Sequence, residues 1–141
     1  GDEEYMKETK DKSEIPEIVK VYMEKIRKLC RENGADFLLV SAPSPKNYDR
    51  KKHNALEEYA SKNQIPYVDM NMNYREIGID WKKDSYDRGD HLNIHGARKV
   101  TDYIGKYLTE NYRLPDRRND DKWNDWKELA DQYFKELKTK I

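Results

Sequence analysis

The chain has 141 residues, 40% of them charged and 35% hydrophobic, and its 28 basic and 28 acidic side chains cancel. This balance argues against a nucleic-acid or anionic-membrane partner, and three Trp, eleven Tyr and two Phe residues argue against disorder. The length is typical of one domain. No stretch is apolar enough to span a bilayer, no secretory signal is recognisable, and the single cysteine, Cys30, excludes an internal disulfide and a cysteine-based metal cluster.

The first helix is predicted from an apolar periodicity. Residues 1–12 are charged and aperiodic, which predicts a flexible lead-in. Ser13 is then expected to cap a helix that runs to about Glu32 and stops at Asn33-Gly34. The apolar residues of this helix recur at helical spacing and are expected to face the core: Ile18, Val19, Tyr22, Met23, Ile26, Leu29 and Cys30.

A strand–helix–strand unit follows the first helix. Residues 36–41 are mostly apolar without alternation and lie just before Pro43, which is typical of a strand buried on both faces of a parallel sheet. A second helix is predicted over about residues 47–62 and a second strand over residues 65–70. This order predicts an α/β architecture.

The second half of the chain is mainly helical. Residues 71–92 show little periodicity, and such long segments inside compact domains are often functional. A helix capped by Asn93 is expected next, ending before Pro115, and a final helix over about residues 120–138. The apolar stripe of that final helix is expected to pack against the sheet, with a sugar-stacking platform as the alternative. The stripe consists of Trp123, Trp126, Leu129, Ala130, Tyr133, Phe134 and Leu137.

Two parallel strands alone do not form a stable sheet, because both edges stay unpaired. Three sources of further strands are therefore open. A further strand lies within residues 71–92, or sequence outside this chain supplies it, or another copy of the chain supplies it. The last case predicts a homodimer formed through the open sheet edge.

A candidate catalytic loop precedes the helix that Asn93 caps. His91 has Asp87 and Asp90 as near neighbours and lies directly before a rigid element. A general base needs such an exposed histidine and a carboxylate that orients it. The sequence therefore predicts His91 as a base, with Asp87 or Asp90 as its partner.

Residues 87–108 read DRGDHLNIHGARKVTDYIGKYL. With the order of elements before them, they resemble the C-terminal half of the SGNH (GDSL-type) hydrolases, over roughly residues 36–115. The resemblance implies a flavodoxin-like three-layer α/β/α fold over residues 13–141, incomplete here, with few parallel strands and four main helices. It also implies hydrolysis or transfer of small acyl groups carried by esters, possibly of glycans, without a cofactor, and a bacterial cell-surface or extracellular location.

Residue by residue, the resemblance implies that His91 is the catalytic base. Asn93 and Gly96 match the positions that follow the catalytic histidine in the family's motif. Asn93 is therefore a candidate substrate-binding residue. The family's orienting Asp stands three residues before the histidine, where this chain has Arg88. One residue is inserted here, so Asp87 is favoured over Asp90.

The family's serine and oxyanion blocks have no counterpart in the chain, since Gly1-Asp2 is followed by Glu3. A His–Asp pair without them does little acyl transfer. The chain is therefore expected to be the C-terminal part of a serine esterase or O-acyltransferase, inactive alone, with its serine supplied by upstream sequence. The alternative is a non-catalytic binding or interaction domain derived from the same fold.

Other polar residues are expected to be structural. Ser41 and Ser44 follow a buried strand, but they lack the glycines of a nucleophile elbow. His53 and His95 are expected to lie at the surface. Three histidines without regular ligand spacing argue against a metal site.

Overall fold

The structure, a computed structural model, describes residues 4–87 and 89–138. It contains the helices α1 (Glu17–Glu32), α2 (Arg50–Lys62), α3 (Tyr74–Ile77), α4 (Ile94–Asn111) and α5 (Asn124–Lys138), the strands β1 (Leu39–Ser41) and β2 (Tyr67–Asp69), and a 3₁₀ turn over Asp121–Trp123. The chain divides into two compact units, Gly1–Ile104 and Gly105–Ile141. The described residues combine helices with a two-stranded parallel sheet, which is consistent with the predicted incomplete α/β fold.

The sheet consists of β1 and β2, which pair in parallel with Val40 opposite Val68. The order β1–α2–β2 agrees with the predicted strand–helix–strand unit. Both strands are shorter than predicted, because a two-stranded sheet offers a single ladder that ends where the pairing ends. Within residues 71–92, the part that the structure describes contains one isolated antiparallel bridge, between Ser85 and Leu92, and no further strand.

The start of α1 differs from the prediction. The helix begins at Glu17, and Pro16 takes the cap position with an extended backbone. Ser13 does not cap it, because proline disfavours a helical conformation in the residue before it, Ile15. The Ser13 backbone N–H donates instead to the Lys51 carbonyl. The end of α1 agrees with the prediction, since the helix stops before Asn33.

The apolar face of α1 was expected in the core, and that expectation is wrong for most of it. Met23 alone is buried, and Cys30 is half-buried. Six large apolar side chains of the helix are between 40% and 61% exposed, because no described element packs over them. They are Ile18, Val19, Val21, Tyr22, Ile26 and Leu29.

Helix α2 packs on the sheet through small residues. Its N-cap is Asp49, whose carboxylate accepts the Lys52 backbone N–H at 2.9 Å, so the helix begins three residues later than predicted. Ala55 and Ala60 are buried, and so is Val68 of β2. Small side chains let the helix backbone approach the strand closely.

An aromatic cluster holds the first unit together beyond the sheet. Tyr74, Ile79 and Trp81 form its buried centre, and Leu92 packs against them. Tyr5, in the segment expected to be a flexible lead-in, packs on the same cluster with its ring centroid 5.3 Å from that of Tyr74.

The start of α4 is built against one buried carboxylate. Asn93 Oδ1 accepts the backbone N–H groups of His95 and Gly96, which confirms the predicted N-cap. The Asp84 carbonyl accepts the Asn93 N–H at 2.9 Å, and Lys99 Nζ lies 2.6 Å from the Asp84 carboxylate. Burial raises the pKa of Asp84, but the hydrogen bonds from Lys99 and the Asp80 backbone, together with the positive charges of Lys99 and His95, outweigh burial, so this pKa lies below its ordinary value.

The second unit is described by itself, so the packing of the α5 stripe against the sheet stays a prediction. Within this unit, α5 contacts the 3₁₀ turn that precedes it, and the large apolar side chains of both are 41–68% exposed. They are Trp123 of the turn and Trp126, Leu129, Tyr133 and Phe134 of α5.

We predict that Gly96→Ala destabilises the chain by about 1–3 kcal/mol, because a Cβ at this position would lie 2.4 Å from the Asp84 carbonyl oxygen. Gly105→Ala, in the same helix with open space around it, is the matched control and should stabilise the helix by up to about 1 kcal/mol. Urea unfolding followed by circular dichroism measures both. Equal stability of the two variants would contradict the close contact at Asp84.

Candidate functional site

The candidate loop is a closed turn between Ser85 and Leu92. The Tyr86 N–H donates to the His91 carbonyl at 3.0 Å, beside the Ser85–Leu92 bridge. Gly89 has a φ of 94°, and a Cβ there would meet the Pro45 ring at 2.5 Å, so the turn requires glycine. Arg88 lies outside the described residues.

The structure brings His91 and Asp87 together. His91 Nδ1 lies 2.7 Å from one Asp87 carboxylate oxygen, and the His91 backbone N–H donates to the other oxygen at 2.7 Å. The His91 side chain is 73% exposed. Among the described residues, none forms a hydrogen bond or an ion pair with its second ring nitrogen, Nε2. The imidazole is thus held at one nitrogen and open at the other.

Asp90 lies farther from the imidazole and has other partners. Its carboxylate is 3.9 Å from His91 Nδ1. It also lies 3.4 Å from Lys46 Nζ and accepts a hydrogen bond from the Asn47 side-chain amide. This geometry makes Asp87 the carboxylate that orients the ring, while Asp90 joins the turn to the loop after β1.

The His91–Asp87 pair shifts the pKa of both groups. The Asp87 hydrogen bond, then the Asp87 and Asp90 charges, raise the pKa of His91, and the His91 side-chain and backbone donors lower the pKa of Asp87 to about 2. Because the pKa of His91 is higher in the folded chain than in the unfolded chain, protonated His91 stabilises the fold. This stabilisation is complete below about pH 6.5 and is lost as the pH rises through the His91 pKa of the folded chain. The ionised Asp87 carboxylate stabilises the fold in the same way, because its pKa is lowered in the folded chain. This stabilisation is complete above about pH 3.9 and is lost as the pH falls towards 2.

Asn93 is the candidate substrate-binding residue that the sequence predicts. Its side-chain oxygen caps α4, and its Nδ2 donates to the Lys83 carbonyl at 2.6 Å. Both ends of the amide are therefore engaged in the framework of the loop.

A second histidine–carboxylate pair lies at the carboxyl ends of the strands, and the sequence reading missed it. His53 Nδ1 is 2.6 Å from Asp69 Oδ2, with the two side chains 13% and 3% exposed. His53, expected at the surface, is thus mostly buried. The signal in the sequence was Asp69 at the end of a buried strand, since carboxyl ends of parallel strands are where polar sites gather.

Hydroxyl groups extend this second pair. The Tyr48 hydroxyl donates to Asp69 Oδ2 at 2.9 Å and lies 2.6 Å from the Tyr67 hydroxyl. The Tyr67 hydroxyl lies in turn 2.9 Å from Ser41 Oγ. Burial raises the pKa of Tyr48, and it raises that of Tyr67 to about 12. Both phenols therefore stay protonated at neutral pH and act as hydrogen-bond donors.

Asn71 connects the two pairs. It is fully buried, and its Nδ2 donates to Asp69 Oδ1 at 2.8 Å, while its Oδ1 accepts the Ser44 N–H at 2.9 Å. Ser44 Oγ in turn donates to the Asp90 carbonyl at 3.3 Å. The hydroxyls of Ser41 and Ser44 are therefore both engaged in framework contacts.

Asp87, Asp90 and His91 also place three ligand atoms within 4.8 Å of one another. Two of these side chains are exposed, and binding a cation through His91 Nδ1 would break its hydrogen bond to Asp87. Exposed acidic groups of this kind are common without a metal, and the cluster carries no metal assignment.

Neither a family model, nor a curated protein, nor a solved structure matches the chain. Over the described residues, the helices are too short or too polar to cross a membrane.

We predict that an NMR titration of the chain places the His91 pKa above 6.5 and that Asp87→Asn lowers it towards that value. Asp90→Asn is the matched control, and its effect should be smaller because its oxygen is 3.9 Å from the ring. A His91 pKa that responds more strongly to Asp90→Asn would reverse the assignment of the orienting carboxylate.

Proposed function

We propose that the chain supplies the general base His91 and its orienting carboxylate Asp87 to an SGNH-type serine esterase or O-acyltransferase. The observation that supports this proposal most directly is the exposed imidazole, bound to Asp87 through Nδ1 and open at Nε2. Such an arrangement selects the tautomer in which Nε2 can accept a proton.

The chemistry then follows from the free nitrogen. Nε2 takes the proton of a serine hydroxyl as the oxygen attacks the ester carbonyl, and it returns that proton to the leaving alcohol. The acyl-serine is cleaved by water or by an acceptor hydroxyl, with His91 again as base. Asp87 stabilises the imidazolium that forms at each step. The serine and the oxyanion donors come, in this proposal, from sequence outside the 141 residues.

The proposed fold is the three-layer α/β/α arrangement of that family, with more strands than β1 and β2. The sheet has two strands and therefore two outer edges. Unpaired strand edges favour pairing with another strand. In this proposal, the missing strands come from a longer protein or from a second copy that pairs through the open edge. The proposed substrate is a small acyl ester, such as an acylated glycan.

A second candidate function is a non-catalytic binding or interaction domain derived from the same fold. The exposed aromatic side chains of α5 favour it, since large exposed apolar patches mark interaction surfaces.

We predict that a longer protein carrying this chain hydrolyses 4-nitrophenyl acetate and that the 141-residue chain alone does not. His91→Ala should lower the turnover of the longer protein by about 10³-fold or more, and Asp87→Asn by about 10²–10⁴-fold. Asp90→Asn, the matched carboxylate control, should change it only a few-fold.

Two results would count against this proposal. A longer protein without activity on any short acyl ester would refute the esterase assignment. Turnover by the 141-residue chain that disappears in both His91→Ala and Ser44→Ala would instead show that the serine lies within the chain.

A further inference from the structure

We propose that a concavity of the first unit binds a small phosphate monoester with an apolar body. The concavity lies between the turn at residues 4–7, the start of α2 and the start of α3. Its volume of about 360 Å³ falls within the roughly 300–1,000 Å³ of small-molecule pockets. The inference does not depend on the proposed esterase function, because its test measures binding and no turnover.

The guanidinium of Arg50, the first residue of α2, carries the argument. Its Nε donates to Asn54 Oδ1 at 3.3 Å, and its Nη1 donates to the Met72 sulfur at 3.1 Å. Both partners are neutral, and a thioether sulfur is a weak acceptor. Arg50 is half-buried, so its charge is partly removed from water without a counter-charge from any described residue. An anion bound in the concavity would supply that counter-charge.

Burial separates Arg50 from the other arginines. Arg27 is the other half-buried arginine of the described chain, and its guanidinium meets the Glu24 carboxylate at 2.7 Å. Exposed arginines need no such partner, because water solvates their charge. Arg50 is therefore the position at which a counter-ion is expected and the fold of the first unit does not provide one.

Two further cations border the same concavity. Lys7 is exposed and forms no ion pair with a described residue. The Arg75 guanidinium lies over the Tyr74 ring at 5.5 Å, and its Nε donates to the Tyr74 hydroxyl at 3.0 Å, which fixes its position at the wall. With Glu4 as the acidic residue of the lining, three cations and one carboxylate leave a net charge of +2.

This charge and the remaining wall define the ligand class. A phosphate monoester carries a charge of about −1.5 to −2 at pH 7 and neutralises the lining, whereas a carboxylate neutralises only half of it. Arginine donates parallel N–H bonds to phosphate oxygens, and lysine adds a point charge. The rest of the lining consists of Met6, Met72 and the Tyr74 ring, and methionine adapts to irregular apolar shapes. The phosphate is thus expected at Arg50 and the apolar body against the methionines.

Isothermal titration calorimetry of the 141-residue chain with phenyl phosphate at neutral pH tests the proposal. We expect saturable binding of one phenyl phosphate per chain. Benzoate, which has the same ring and a single charge, should bind about tenfold or more weakly. Inorganic phosphate should also bind more weakly than phenyl phosphate, because it lacks the ring. Absence of binding in the millimolar range, or equal binding of benzoate, would overturn the proposal.

Charge-removing variants locate the site. Arg50→Gln should weaken phenyl phosphate binding about tenfold or more, and Lys7→Gln should weaken it several-fold. Lys62→Gln is the matched control, since it removes one positive charge from the far end of α2, where Lys62 pairs with Glu58 at the surface. Its affinity should stay within about twofold of the unaltered chain.

Circular dichroism checks that each variant keeps its helix content. If Arg50→Gln fails to fold, Lys7→Gln decides the outcome, because Lys7 lies on an exposed turn outside the helices. Unchanged affinity in the folded Arg50 or Lys7 variant would refute the assignment. An equal loss in Lys62→Gln would refute it as well, because binding would then follow the overall charge of the chain and not this concavity.

Discussion

The buried Asp84 is the constraint on which the candidate site depends. Its carboxylate accepts the Asp80 N–H and the Lys99 ammonium, and its carbonyl accepts the Asn93 N–H. The Asp84 side chain is 3% exposed, so removing Lys99 would leave a buried carboxylate without its counter-charge, which is costly. The residues between Asp84 and Asn93 therefore form a loop with both ends held together, and His91 is presented at its exposed rim.

A second set of contacts holds the same loop from the side of the sheet. The fully buried Asn71 binds the segment after β1 through Ser44, and the Ser44 hydroxyl, Lys46 and Asn47 all reach Asp90. Asp90 thus serves mainly to attach the loop, and Asp87 remains with the imidazole. The division between the two carboxylates follows from which of them has partners outside the loop.

The exposed apolar face of α1 has a physical reason within the first unit. A two-stranded sheet presents little surface, and small domains bury a smaller share of their apolar area than large ones. Helix α2 packs on this sheet with small residues, while the face of α1 stays exposed. Additional strands would add most to stability at this face.

The sequence by itself determined the order of the elements, the parallel strand–helix–strand unit, the Asn93 cap and the grouping of His91 with Asp87 and Asp90, because these depend on local periodicity and short spacing. Only the tertiary structure decided which carboxylate meets His91, since Lys46 and Asn47 approach Asp90 from more than forty residues away. It also decided that His53 pairs with Asp69 and that the apolar face of α1 is exposed. Periodicity shows that a helix has an apolar face, but burial requires a second surface to cover that face, and local sequence does not encode where that surface is.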